Sequence, residues 1–314
     1  MKNLLLLPYL SCIALIFLLF PSALLAQNEK HTCGFELLEQ SRKINIPGKQ
    51  QRENSLNKAI YSQVLRNSKK QRTDALIPVV VHIIHQNGPE NISDAMVIQG
   101  IQHLNEAFAN TGAFEQTGGV NTNIQFCLAQ RDEIGMPTTG ITRHVSPLTQ
   151  LNAETNDAEL KAIIQWNPLE YLNVYLVREI TSTSLGDGIA GYAYYPSSHG
   201  SPEDGIVNEA GLWGSSVDNS KVHIHEAGHY LGLYHTFTEG CINQNCLLDG
   251  DFVCDTPPDN STNAVNCGSN VNTCTSDDND LSIQNPFRPV NVGGQGDQPD
   301  MHQNYICLLY TSDA

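Results

Sequence analysis

The strongest constraint on this chain is the segment at residues 225–235, which reads HEAGHYLGLYH. On an α-helix, residues four apart lie about 40° apart around the axis, so His225 and His229 can point at one ion. Gly232 can adopt a positive φ and end the helix, which lets His235 approach the same ion from another direction. The segment therefore predicts a three-histidine metal site at the end of a helix.

The donor set also predicts the chemistry. Three neutral imidazoles leave one position of a tetrahedral zinc ion open, which is typical of a catalytic site. Zinc lowers the pKa of a bound water to about 7, and Glu226 stands beside His225 to act as general base. A third histidine in place of a distant glutamate is typical of the longer metzincin motif. This pattern predicts peptide-bond hydrolysis without a covalent intermediate.

The remaining histidines lack this spacing and are expected at the surface or in the core. Among them are His82, His85, His103, His144, His199, His223 and His302.

Charge and size exclude some functions. The 17 Lys and Arg against 33 Asp and Glu give a net charge of -16, which argues against a grip on phosphate backbones. Nucleic acid is therefore not expected as a partner. The 314 residues, 40% of them hydrophobic, allow one large domain with processing segments. We expect a monomer that acts on protein or peptide substrates.

Residues 1–26 are typical of an export signal. Lys2 precedes an apolar run from Leu4 to Phe20, and small residues follow up to Ala26. A membrane anchor is the alternative, but the apolar run is shorter than the roughly 20 residues that a span needs. We therefore predict a secreted protein without a stable membrane anchor.

Residues 27–74 are polar and are predicted to be a pro-segment. The stretch at 67–72 is basic and lacks large apolar residues, so it is expected to be an exposed, cleavable linker. Ordered structure is expected to begin at Ile77, and residues 75–306 are assigned to the catalytic domain.

The pattern of the catalytic region predicts an α/β sheet. Residues 77–84 form a β-branched run typical of a strand buried on both faces, and Ser93 can cap a helix that follows. Further strands are predicted at 124–129, 172–177 and 189–195, and a further helix at 157–165. Asn219 or Ser220 is expected to cap the helix that carries the histidine motif.

Five cysteines fall within residues 241–274: Cys241, Cys246, Cys254, Cys267 and Cys274. An exported chain enters an oxidising compartment where disulfides persist. The same segment is rich in Asn, Asp, Ser, Thr and Gly, so we predict an irregular, disulfide-stapled subdomain with its pairing left open. A zinc ribbon is disfavoured because no CxxC pair is present.

With the histidine motif in place, the chain resembles the pappalysin family of metzincins from about Ile77 to Tyr305. The resemblance is carried by IPVVVH at 77–82, GYAY at 191–194, DTP at 255–257 and QNY at 303–305, besides the zinc motif. It implies a metzincin-type zincin fold: a twisted, mostly parallel sheet with an antiparallel edge strand, a backing helix and an active-site helix. In that fold Gly191, Tyr192 and Ala193 would pair with an extended substrate.

The same resemblance implies regulation and a second metal. Cys33, in Thr32-Cys33-Gly34, would place a thiolate on the zinc of a zymogen, whereas a free thiol or a disulfide partner is the alternative. Asp251 and Thr256 stand where some members bind calcium. A solvated acidic loop held by disulfides is the alternative there.

The end of the chain departs from the family pattern. Family members carry a methionine turn below the zinc, and this chain has Ile306 at that position, with Met301 as a competing candidate. Residues 307–314 resemble a translated sequencing adapter, so we hypothesise that the natural residue at 306 is methionine. A catalytically silent zincin domain serving as a binding or adhesion module is the alternative function, and Glu226 argues against it.

Overall fold

The computed structural model of the chain describes residues 32–67, 74–260 and 271–307. The helices are α1 (Phe35–Asn45), α2 (Lys49–Asn67), α3 (Asp94–Ala109), α4 (Asp157–Ile163) and α5 (Val217–Tyr230). The strands are β1 (Thr32–Cys33), β2 (Ala75–His85), β3 (Ile124–Leu128), β4 (Ile141–Val145), β5 (Gln150–Asn152), β6 (Leu172–Val177), β7 (Glu179–Thr181), β8 (Ile189–Ala193) and β9 (Ile206–Glu209).

Seven strands form one sheet in the order β1-β8-β9-β6-β2-β3, with β4 also paired to β2. The first half of the long β2 pairs with β3 and its second half with β4. All of these pairings are parallel except that of β8 with β9. The prediction of a mostly parallel sheet with an antiparallel edge strand is confirmed, and β5 and β7 form a separate parallel pair.

Both faces of the sheet are covered, which explains the continuous apolar run in β2. Val79, Val81 and Ile83 pack into the core cluster that also contains residues of α3 and α5. Ile84 belongs to a second cluster, together with Leu160 of α4. Successive side chains of a strand point to opposite faces, so a strand between two layers must be apolar throughout.

Two details of the helices differ from the sequence-based expectation. Regular structure is already present from Thr32, well before Ile77, and α1 and α2 in the predicted pro-segment pack against the rest of the chain. Helix α5 is capped by Ser216, whose hydroxyl accepts a hydrogen bond from the Asn219 backbone nitrogen at 3.1 Å. Ser220 lies inside the helix, where its hydroxyl is 2.7 Å from Nδ1 of His103.

The region after α5 is irregular, as predicted. Within its described residues, regular structure is limited to a 3₁₀ turn at Val290–Val292. Disulfides join Cys241 to Cys274 and Cys246 to Cys254. Cys267, the export signal at 1–26, most of the basic stretch at 67–72, and residues 308–314 lie outside the described residues. Among the described helices, none has the length and apolarity needed to cross a bilayer.

Candidate metal centre

The three motif histidines converge on one point. The Nε2 atom of His225 is 2.8 Å from that of His229 and 3.2 Å from that of His235, and the last two are 3.1 Å apart. Helix α5 ends at Tyr230, and Gly232 has a φ of +104°, so the chain turns back as its glycine allows. Three buried nitrogen donors thus surround one small site.

The opposite nitrogen of each ring lies next to an oxygen. Nδ1 of His225 is 2.5 Å from the Tyr305 carbonyl, and Nδ1 of His229 is 2.7 Å from the Leu233 carbonyl. Nδ1 of His235 is 3.0 Å from Oε1 of Glu36, a residue of α1. Acceptors at Nδ1 favour a proton there and leave the Nε2 lone pairs directed at the shared point, which is the arrangement of metal-binding histidines.

Burial sets the charge state of the site. It lowers the pKa of His225 and of His229 well below the usual range, so both rings are neutral and able to donate electron pairs. Burial also raises the pKa of Glu226 to about 8, while the nearby Cys33 thiol acts in the opposite direction. Both oxygens of Glu226 are buried without a hydrogen-bond partner of ordinary geometry among the described residues. A cation at the histidines would offset the cost of burying this carboxylate.

Cys33 completes a four-donor group. Its sulfur and the ligand nitrogens of His225, His229 and His235 all lie within 4.8 Å of one another. Strand β1 pairs with β8 and sets Cys33 opposite Gly191. Burial raises the pKa of the Cys33 thiol, and the Glu226 carboxylate raises it further. Three imidazoles and one sulfur, all buried, fit a tetrahedral zinc ion.

The edge strand passes close to the centre. A side-chain carbon at Gly191 would lie 2.2 Å from Nδ2 of Asn208 and 3.1 Å from Cγ of Glu226, so only glycine fits there. Tyr192 and Ala193 follow in β8, and both are buried. Glu226 therefore lies beside the main chain of the strand that was predicted to hold a substrate.

Two other groups of predicted site residues lie outside the centre. Asp251 accepts a hydrogen bond from the Val253 backbone nitrogen at 2.9 Å and contacts the Thr256 side chain, while burial raises the pKa of Asp251 to about 7. Ile306 lies below α5: a side-chain carbon added at Gly228 would be 2.3 Å from Cδ1 of Ile306. Met301, the competing turn residue, is 41% exposed.

Sequence reasoning missed three residues at the site. Phe35 stacks on the His229 ring with centroids 3.9 Å apart, and Glu36 contacts His235. Both belong to a polar segment whose periodicity does not point to the motif. Asn208 is buried with neither side-chain polar atom hydrogen-bonded to a described residue. Its position directly after two apolar residues of β9 was the available hint for Asn208 alone.

Comparisons with known proteins agree with this geometry. The profile of the peptidase M43 family, described as pregnancy-associated plasma protein-A, matches residues 154–292. A solved structure of a promirolysin mutant from Tannerella forsythia is 31% identical; the match covers 73% of this chain and 76% of that one, with a TM-score of 0.55. The chain belongs to the pappalysin (M43) family of metallopeptidases. The resemblance read from the sequence is confirmed, and so is the metzincin fold.

Other relatives include a mature bacterial enzyme and proteins named extracellular metalloproteases. Mature mirolysin of T. forsythia, solved with a cleaved peptide, is 32% identical over 60% of this chain and 73% of that one, with a TM-score of 0.50. An extracellular metalloprotease of Arthroderma gypseum is 27% identical over 70% of this chain and 68% of its own length. An extracellular metalloprotease of Coccidioides posadasii is 27% identical, and the match covers 57% of this chain and 57% of that protein. This pappalysin is therefore a metalloprotease that spans little more than half of some relatives.

Proposed function

We propose that this pappalysin is a secreted zinc endopeptidase that is made as a zymogen. His225, His229 and His235 hold the zinc ion, and Glu226 is the general base. The observation that carries this assignment is the meeting of three Nε2 atoms within 3.2 Å of one another, beside a buried carboxylate. Export is supported by the relatives that are named extracellular metalloproteases.

The residues of the chain divide the work of peptide hydrolysis. When bound, zinc supplies a Lewis acid that polarises the scissile carbonyl and acidifies water. Glu226 removes the proton of the attacking water and passes it to the leaving amine. Gly191 and Ala193 offer main-chain groups at the sheet edge, which hold an extended peptide across the site once β1 has left. The oxygen atoms that lie beside the Nδ1 atoms keep the imidazole rings in place.

Latency is assigned to Cys33. The thiol of the precursor, already buried among the histidines, becomes a thiolate ligand when a cation is present, because a metal lowers a thiol pKa. The match to promirolysin covers 73% of this chain and that to the mature enzyme 60%, which supports a pro-segment here. The Cys33→Ala precursor is expected to mature faster and to be more active than the wild-type precursor, although β1 still covers β8, whereas Cys33→Ser, which keeps a weak oxygen ligand, is expected to be intermediate. A Cys33→Ala precursor that matures no faster and is no more active than wild type would contradict the assignment.

The variant Glu226→Gln tests whether the protein hydrolyses peptides with Glu226 as general base. The natural full-length gene product is incubated with a broad peptide library, and cleavage by the variant is expected to fall by about 10²- to 10⁴-fold. Zinc content, measured by metal analysis, is expected to stay unchanged because Glu226 is not a ligand. Equal cleavage by both proteins would reject the mechanism, and zinc-loaded wild type that cleaves nothing would favour the silent binding module.

A further inference from the structure

An arginine of the pro-segment lies on an aromatic ring of the catalytic domain. The guanidinium carbon of Arg42, in α1, is 3.2 Å from the centroid of the Tyr194 ring. The ammonium nitrogen of Lys161 is 3.4 Å from the same centroid. Because both groups are so close to the centroid, they must cover opposite faces of the ring. The Tyr194 ring therefore makes cation–π contacts with two side chains, and one of these side chains belongs to the pro-segment.

A buried carboxylate fixes this ring. Oδ1 of Asp157 accepts hydrogen bonds from the Tyr192 hydroxyl at 2.7 Å and from Lys161 at 3.1 Å. The Tyr194 hydroxyl donates to Oδ2 of the same carboxylate, and Nη2 of Arg42 lies 3.8 Å from that oxygen. Asp157 is buried. The ring and the carboxylate thus form a rigid surface that faces the guanidinium.

Loss of the pro-segment would change this surface in one respect. Tyr194, Asp157 and Lys161 all belong to the catalytic domain, so only Arg42 would leave. Burial lowers the pKa of Lys161 to about 8 and Arg42 lowers it further, whereas the carboxylates of Asp157 and Asp204 raise it. Two carboxylates against one ammonium would remain, together with an uncovered aromatic face. A cation of the shape of Arg42 restores both the charge balance and the stacking.

The surface lies along the strand that would hold a substrate. Cys33, beside the metal centre, pairs with Gly191, and Tyr194 follows three residues later. At about 3.3 Å per strand residue, Tyr194 lies about 10 Å along the chain from Gly191, the residue opposite Cys33. Leu38 of α1 packs in the same core cluster as Tyr194, so α1 covers this end of the cleft in the precursor.

We propose that the open face of Tyr194, backed by Asp157, is a substrate subsite for an arginine side chain about three residues from the scissile bond. Arg42 fills this subsite in the precursor. The inference rests on the proposed function, because it needs an extended peptide on β8. A guanidinium is favoured over an ammonium since its flat group stacks on a ring.

The test uses the enzyme matured from the full-length chain and matched quenched peptides. A parent peptide is selected by cleavage from a broad peptide library that includes basic residues. Arginine or its uncharged isostere citrulline then replaces one residue at a time, from four residues before the bond to four after it. We expect kcat/KM to be about three- to tenfold higher for arginine than for citrulline at a position two to four residues from the bond.

Variants of Tyr194 assign the preference to the ring. In Tyr194→Leu, which removes the aromatic face, the ratio of arginine to citrulline at that position is expected to fall close to one. Tyr194→Phe keeps the face and is expected to keep the ratio. Equal cleavage of the arginine and citrulline peptides by wild type at every position two to four residues from the bond would overturn the subsite, and this comparison uses the wild-type enzyme alone. A broad library left wholly uncleaved would reject the protease and the subsite with it.

Discussion

Oε1 of Glu36 lies 3.0 Å from Nδ1 of His235, so the pro-segment supplies the neighbour of the third motif histidine. The other two histidines are held by carbonyls of the catalytic domain, Tyr305 and Leu233. Removal of the pro-segment would therefore change the surroundings of one ligand and leave those of the other two intact. On the proposed maturation, the precursor and the mature enzyme would differ at His235 as well as at Cys33.

The contact of Glu36 is expected to be a minor part of latency. The Glu36 side chain is 57% exposed, and exposed ion pairs contribute less than about 1 kcal/mol. Glu36→Ala is expected to speed maturation of the precursor about two- to fivefold, measured by the appearance of the mature band at fixed concentration. Glu36→Gln keeps an acceptor for Nδ1 and should lie nearer to wild type. Maturation of Glu36→Ala at the wild-type rate would contradict this role.

The buried pair of Lys49 and Glu39 should matter more. The Lys49 ammonium is 3.1 Å from Oε2 of Glu39 and 2.9 Å from the Ser198 hydroxyl, and both charged residues are buried. Lys49→Met would leave Glu39 with Arg42 as its remaining cation, at 3.5 Å. We expect a loss of about 2–3 kcal/mol in the docking of the pro-segment, somewhat less than for a fully broken buried pair.

Limited proteolysis measures this loss. The pro-segment of Lys49→Met should be cleaved at least tenfold faster than that of wild type, while mature Lys49→Met and wild-type enzymes are identical because residue 49 is removed. Lys58→Met, at an exposed position of the same helix, is the matched control and should behave as wild type. Equal cleavage rates for the Lys49 and Lys58 variants would show that the buried pair of Lys49 and Glu39 does not hold the pro-segment in place.

Removal of zinc should lower the thermal stability of the mature enzyme. Without a cation the site buries a carboxyl group with no ordinary hydrogen-bond partner and three adjacent nitrogen lone pairs. A ligand that binds the folded state alone raises its stability, so chelation is expected to lower Tm by about 5 °C or more. His229→Asn should have a low Tm that no longer responds to chelator. His144→Asn, outside the site, should respond as wild type does. A chelator response retained in His229→Asn would argue against the ligand set.

Asp251 should make stability depend on pH. Its pKa rises from an ordinary 3.8 to about 7 in the folded chain, so the folded state holds this proton more tightly than the unfolded state. The contribution is therefore favourable at low pH and is lost as pH rises through about 7. Relative to Asp251→Asn, wild type is expected to lose several degrees in Tm between pH 5 and pH 8.

The same variant tests the calcium prediction. If calcium binds at Asp251 and Thr256, about 1 mM calcium at pH 8 should restore the Tm of wild type and leave that of Asp251→Asn unchanged. Chelator-treated protein given back zinc alone provides the baseline. An identical response of both proteins to calcium would dismiss the site and leave Asp251 as a buried carboxyl group.

The sequence alone determined the parts of this protein that depend on short-range periodicity. His225, Glu226 and His229 fall on one helix by spacing, and Gly232 permits the turn that brings in His235. Strand β2 could be predicted because a strand between two covered faces is apolar at nearly every position. These features need only neighbours within about ten residues, so their pattern is visible without the fold.

Tertiary structure decided how the pro-segment closes the site. Its polar composition suggested a disordered leader, yet Lys49 and Glu53 are buried because Ser198 and Tyr234, more than a hundred residues away, supply their partners. The contact of Arg42 with Tyr194 and the two disulfides likewise join residues that are not neighbours in the sequence. Such contacts are selected by which surfaces meet in the folded chain, and local propensity carries no information about that choice.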